Sequence, residues 1–128
     1  MKKILIVFVF IIFITGCGNI NNEVDKMISA KEVNKIMETY NGDADVYIID
    51  VREIDEFDGG HLEKAINIPV GEIQKIKDRD FINEDSKIIV YCRSGNRSKI
   101  AQAKLMELGY TNVYDMGGIL DWPYNIVK

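Results

Sequence analysis

Histidine and cysteine are scarce in this 128-residue chain, which holds one histidine, His61, and two cysteines, Cys17 and Cys92. So few cysteines do not make the disulfide framework that staples small exported domains. A basic surplus is missing as well. Sixteen Lys and Arg stand against 20 Asp and Glu, for a formal net charge of -4. No phosphate-backbone footprint is present, and nucleic acid is not an expected partner. Nor is any apolar run long enough to cross a bilayer. The longest, residues 4–14, would form a helix of roughly 16 Å against a hydrocarbon core of about 30 Å. Internal repeats and low-complexity tracts are absent too.

That apolar run follows Lys2 and Lys3 and reads as the core of a secretory signal. Ile14-Thr15-Gly16-Cys17, directly after it, resembles the lipobox of bacterial lipoproteins. The resemblance implies a diacylglyceryl group on the Cys17 thiol and cleavage just before it. An exported protein, lipid-anchored on the extracytoplasmic face of the cell membrane, is therefore expected. Each buried methylene of such a lipid contributes about 0.8 kcal/mol. The alternatives are an ordinary signal peptide with an incidental cysteine, or an uncleaved anchor. The expected organisation is a signal over residues 1–16, a polar tether over 17–25 and one small domain over 26–128. With Cys17 acylated, Cys92 has no partner in the chain.

Within the domain, Ser29-Ala30-Lys31-Glu32 has the form of a capping box. Val33, Ile36, Met37 and Tyr40 follow at helical spacing, and Asn41-Gly42 closes the element. Apolar runs at residues 46–49, 65–68, 88–91 and 113–116 predict four strands. A weak helical pattern covers 70–76, a stronger one covers 98–108 up to Gly109, and a short terminal helix is expected around Trp122. Helices alternating with strands that are apolar throughout indicate an α/β fold, a parallel sheet covered on both faces.

In open parallel sheets the ligand site lies beyond the carboxyl ends of the strands. Two predicted strands end in reactive or charged residues, at Asp50-Val51-Arg52 and at Cys92. The segment Cys92-Arg93-Ser94-Gly95-Asn96-Arg97-Ser98 joins a strand to a helix, which places the thiol at a helix N-terminus. Inward-turned N–H groups there, expected from Gly95, Asn96 and Arg97, stabilise an anion and hold a thiol below its free value near about 8.5. Arg93 and Arg97 offer guanidinium forks suited to a small oxyanion.

Cys92-Arg93-Ser94-Gly95-Asn96-Arg97 resembles the C-R-x-G-x-R active-site loop of rhodanese-like sulfurtransferases. Asp50-Val51-Arg52-Glu53 through Glu56-Phe57, Gly60-His61-Leu62 and Ala65-Ile66-Asn67-Ile68-Pro69 follow that family's pattern in order. Gly117-Gly118 with Trp122 matches its closing G-G-x-x-x-W. The resemblance implies a five-stranded parallel sheet flanked by helices, with neither metal nor organic cofactor. It implies a Cys92 persulfide as intermediate, filled from thiosulfate or a persulfide donor and emptied to a thiol or cyanide. The loop from Arg93 to Ser98 would bind substrate, with Asp50 and Arg52 supporting it. His61 holds a structural place in the pattern. Glu53, Asp55, Glu56 and Asp58 read as a solvated acidic turn.

Three other readings compete. A Cys-based phosphatase needs arginine at position 98, which is Ser98. A non-catalytic binding module would not need Cys92 with both arginines. A sulfur carrier or thiol-redox partner of another protein is not separated from a small-molecule enzyme by these residues.

Overall fold

The computed structural model describes residues 26–40, 42 and 44–128. The apolar run, the lipobox with Cys17 and the tether all lie outside the described residues.

Helix α1 (Ala30–Thr39) starts where the capping box places it. Glu32 N–H donates to Ser29 Oγ at 3.2 Å, and Ser29 N–H donates to the Glu32 carboxylate at 3.0 Å. Strands β1 (Val46–Asp50), β2 (Ile66–Asn67), β3 (Lys87–Cys92) and β4 (Val113–Gly118) form one sheet in the order β2-β1-β3-β4. Every pairing is parallel.

Successive side chains of a strand point to opposite faces, and β3 shows the consequence. Ile88, Val90 and Cys92 pack on one side, against Ala101 and Leu105 of α3 (Asn96–Glu107) and against Ile73 and Ile76 of a 3₁₀ helix, Val70–Asp78. Ile89 and Tyr91 pack on the other, with Val33 of α1, Leu62 and Trp122. Both faces are covered, which is why the central strands carry almost no polar residues.

Among the described residues the sheet has four strands, not five. Before α1 the described residues add one parallel bridge to β4, Met27 with Asp115. Ile28 N–H donates to the Asp115 carbonyl at 3.0 Å, and Asp115 N–H donates to that of Lys26 at 2.9 Å. The cap at Ser29 then turns the chain into α1, and the pairing ends there. Near the C-terminus the expected helix around Trp122 is a single 3₁₀ turn, Ile119–Asp121. Trp122 follows it and donates from Nε1 to the Asn125 carbonyl at 3.1 Å. A short helix that periodicity did not indicate, α2 (Ile54–Asp58), lies after β1.

Candidate active site

The register of the sheet brings the site together. Asp50 at the end of β1 lies opposite Tyr91, and β3 runs one residue further to Cys92. A shift between Val90 and Tyr91 sets Gly117 against Tyr91 and Gly118 against Cys92. Three chain segments therefore meet at one end of the sheet.

After Cys92 the chain turns through Gly95, whose φ of 107° suits a residue without a Cβ. Helix α3 begins at Asn96, two residues before the position its apolar spacing suggested. Cys92 is 1% exposed, and Gly95 N–H donates to its sulfur at 3.0 Å. Burial, the largest influence, opposes ionisation of the thiol. The N–H groups of Ser98, Gly95 and Ser94, with the Ser98 hydroxyl, outweigh it and hold the thiol below its ordinary value. Of the N–H groups expected there, that of Gly95 bonds to the sulfur, and those of Ser94 and Ser98 join it in favouring the thiolate.

Gly118 shapes the loop from behind. A Cβ there would run into the Arg93 carbonyl oxygen and stand 2.8 Å from Ser94 Cα. The same carbonyl accepts from Leu120 N–H at 3.2 Å. Gly118 of the closing motif thus allows the loop to lie directly on β4.

Asp50 and Arg52 form a buried pair next to the thiol's strand, 0% and 6% exposed. Arg52 Nη2 donates to Asp50 Oδ2 and to the Gly60 carbonyl, both at 2.7 Å. Asn67 Nδ2 donates to the carbonyls of Asp50 and Arg52 at 3.0 and 2.9 Å. Burial opposes the charge of Arg52, but Asp50 more than restores it, and its pKa is raised. Burial, and then the Asp50 carboxylate, push the Tyr91 hydroxyl far above its usual range, so it stays protonated. That hydroxyl accepts from Leu62 N–H at 3.1 Å.

The two arginines of the loop differ. Arg97 donates from both terminal nitrogens to Glu56 of α2, at 2.7 and 2.9 Å. Glu56 also accepts from Glu53 N–H at 2.9 Å. The Arg97 hydrogen bonds, more than any other influence, hold the Glu56 carboxyl at about 2. Glu56 is therefore part of the site rather than of a solvated turn. Its place in the motif was the one signal for it, because the five-residue α2 is too short to show periodicity. Arg93 is exposed, at the edge of a cavity of about 420 Å³ that is also lined by Asp55, Glu56, Leu120 and Ile126. His61 turns elsewhere: Nδ1 bonds to the Phe57 carbonyl at 2.8 Å, and its ring stacks on Phe57 at 3.7 Å. No group of three or more potential metal ligands exists among the described residues.

A buried, anion-stabilised thiol can attack a soft electrophile and keep the product anion among the same N–H groups. Comparison with known proteins points the same way. The rhodanese-like domain family matches residues 29–123. The chain is 41% identical over 98 residues to a Schizosaccharomyces pombe protein named "Putative thiosulfate sulfurtransferase, mitochondrial", covering 66% of this chain and 68% of that one. It is 29% identical over 111 residues to the "Putative sulfur carrier protein YrkF" of Bacillus subtilis, covering 86% of this chain and 59% of that protein. Among solved structures, a "rhodanese with anions from E. coli" superposes with a TM-score of 0.60 at 34% identity, over 65% of this chain and 98% of the other.

Proposed function

This chain belongs to the rhodanese-like sulfurtransferase family, and from that premise we propose that it carries sulfur on Cys92 between a sulfane donor and a thiol or cyanide acceptor. The Cys92 thiolate attacks the outer sulfur of thiosulfate, forming the Cys92 persulfide anion and expelling sulfite. With an alkyl persulfide, R–S–SH, the same attack leaves the Cys92 persulfide and expels the thiolate R–S⁻. Cyanide then takes the outer sulfur as thiocyanate and regenerates the Cys92 thiolate. A thiol acceptor leaves instead as its persulfide.

One observation carries this reading: the sulfur of Cys92 sits at the head of α3 with Gly95 N–H 3.0 Å away. Groups of that kind stabilise both the attacking thiolate and the persulfide anion. No redox cofactor is needed, because each step passes the sulfane sulfur from one nucleophile to another without an external oxidant or reductant.

A second reading, a sulfur carrier serving another protein, draws on a different observation. Leu120 and Ile126 are 62% and 47% exposed on the wall of the cavity beside Arg93, and exposed apolar side chains at a site favour a protein surface.

Mass spectrometry after incubation with thiosulfate or an alkyl persulfide tests transfer. One added sulfur atom on Cys92, absent in Cys92→Ser, is expected. Sulfur transfer that persists in Cys92→Ser overturns the mechanism. For the N-terminus, the proposal is export and lipid anchoring through Cys17. Cys17→Ala should abolish acyl labelling, and a labelled variant would remove the anchor.

A further inference from the structure

Two of the three arginines around the thiol loop are already paired. Arg52 is taken by Asp50 and Arg97 by both oxygens of Glu56. Glu56 is itself fixed by Glu53 N–H, so it is preorganised against leaving Arg97. Among the described ion pairs Arg93 has none, and it shares the cavity with exposed Asp55. Arg93 and Asp55 thus line one cavity together with the apolar side chains of Leu120 and Ile126. A small dianion arriving at Cys92 meets a single usable cation. To gain a second it has to displace Glu56 from a two-point, charge-assisted pair, the strong form of such a bond.

We infer that Glu56, by keeping Arg97 occupied, is a specificity-determining residue that selects alkyl persulfides of at most one negative charge over dianionic thiosulfate as the sulfur donor. The inference rests on the sulfurtransferase reading and narrows its substrate class. Loading then runs as the balanced exchange given above: the Cys92 thiolate takes the outer sulfur of R–S–SH, and the electron pair of the broken S–S bond leaves on R–S⁻. The apolar wall suits the carbon arm of such a donor, and Arg93 suits its one charge.

The test compares sulfur loading of the full chain from thiosulfate and from cysteine persulfide, measured side by side as kcat/KM. The native protein is expected to prefer the persulfide. In Glu56→Gln the ratio of thiosulfate to persulfide efficiency should rise about three- to tenfold, as one nearby charge is removed. Asp55→Asn, which touches no loop hydrogen bond, should move it the same way by about half as much on a logarithmic scale. Glu56→Asp, with the charge restored, should bring the ratio back towards the native value. A purely structural Glu56 would depress both donors alike and leave the ratio unchanged. An unmoved ratio in the neutral variants, or a native preference for thiosulfate, overturns the inference. If Glu56→Gln does not fold, Asp55→Asn decides alone. A native protein that takes sulfur from neither donor fails at the earlier step, and that failure is seen separately in the absent mass gain on Cys92.

Discussion

The carbonyl oxygen of Arg93 occupies the space that a side chain on Gly118 would need. Ser94 Cα stands 2.8 Å from the same point. Both contacts are with backbone, which has no flexible end to swing away.

Gly118→Ala should therefore push the whole loop off β4 rather than shift one side chain. Overpacking of this kind costs about 1–3 kcal/mol. The expected outcome is a lower urea midpoint, together with a loss of sulfur loading larger than the change in stability accounts for. Equal falls in both would show that the loop tolerates the displacement.

The Ser98 hydroxyl favours the thiolate of Cys92 and donates to the Gly95 carbonyl at 3.0 Å. Its removal takes away a group that favours the thiolate, so in Ser98→Ala the thiol pKa moves up. Less thiolate then exists at neutral pH, and alkylation of Cys92 there should slow about three- to tenfold. Rates followed against pH should show the inflection displaced to higher pH. An inflection that stays in place would assign thiolate stabilisation to the backbone alone.

Much of this arrangement is legible in the sequence, and the parts that are not share a cause. Four apolar runs gave the four strands, because residues covered on both faces leave a pattern that is local. The capping box at Ser29 and the thiol at the strand end ahead of α3 are local as well. The pairing of Arg97 with Glu56 spans 41 positions, and neither residue's neighbours announce it. Ser98 reads as an ordinary helix residue until the turn at Gly95 brings it under the sulfur. The fifth strand came from family likeness, and the described residues hold four, with one isolated bridge ahead of the cap at Ser29.

Asp50 and Arg52 are both buried and satisfied by each other. Arg52→Met would leave the Asp50 carboxylate without its cation and free the Gly60 carbonyl. Breaking such a pair from one side costs about 3–5 kcal/mol. Chemical unfolding should show a fall of that order, and Arg52→Lys should rescue little, since one ammonium cannot reproduce the fork. A fall below about 1 kcal/mol would place the pair among solvent-screened surface pairs.

Glu56 gives a pH signature of its own. Its carboxyl is held at about 2 in the folded protein against an ordinary 4.5, chiefly by Arg97. A depressed folded value means that the contribution is fully present above about 4.5 and is lost as pH falls through about 2. The stability gap between the native protein and Glu56→Gln should therefore narrow across that window and stay constant above it. Thermal melts at stepped pH would measure it, and a gap independent of pH would mean that the pair contributes nothing net.

Cys92 is the free cysteine of the described residues, and that solitude sets a limit on timing. A relay domain with two neighbouring thiols can discharge a bound sulfur into its own disulfide and reset without help. On the proposed mechanism the described domain has one berth. Once occupied, it would stay occupied until an acceptor calls, and no second donor could be served meanwhile. The fraction of chains bearing sulfur at any moment would then follow the balance of donor supply against acceptor demand, so the occupancy of a single atom would double as a gauge of local sulfane sulfur.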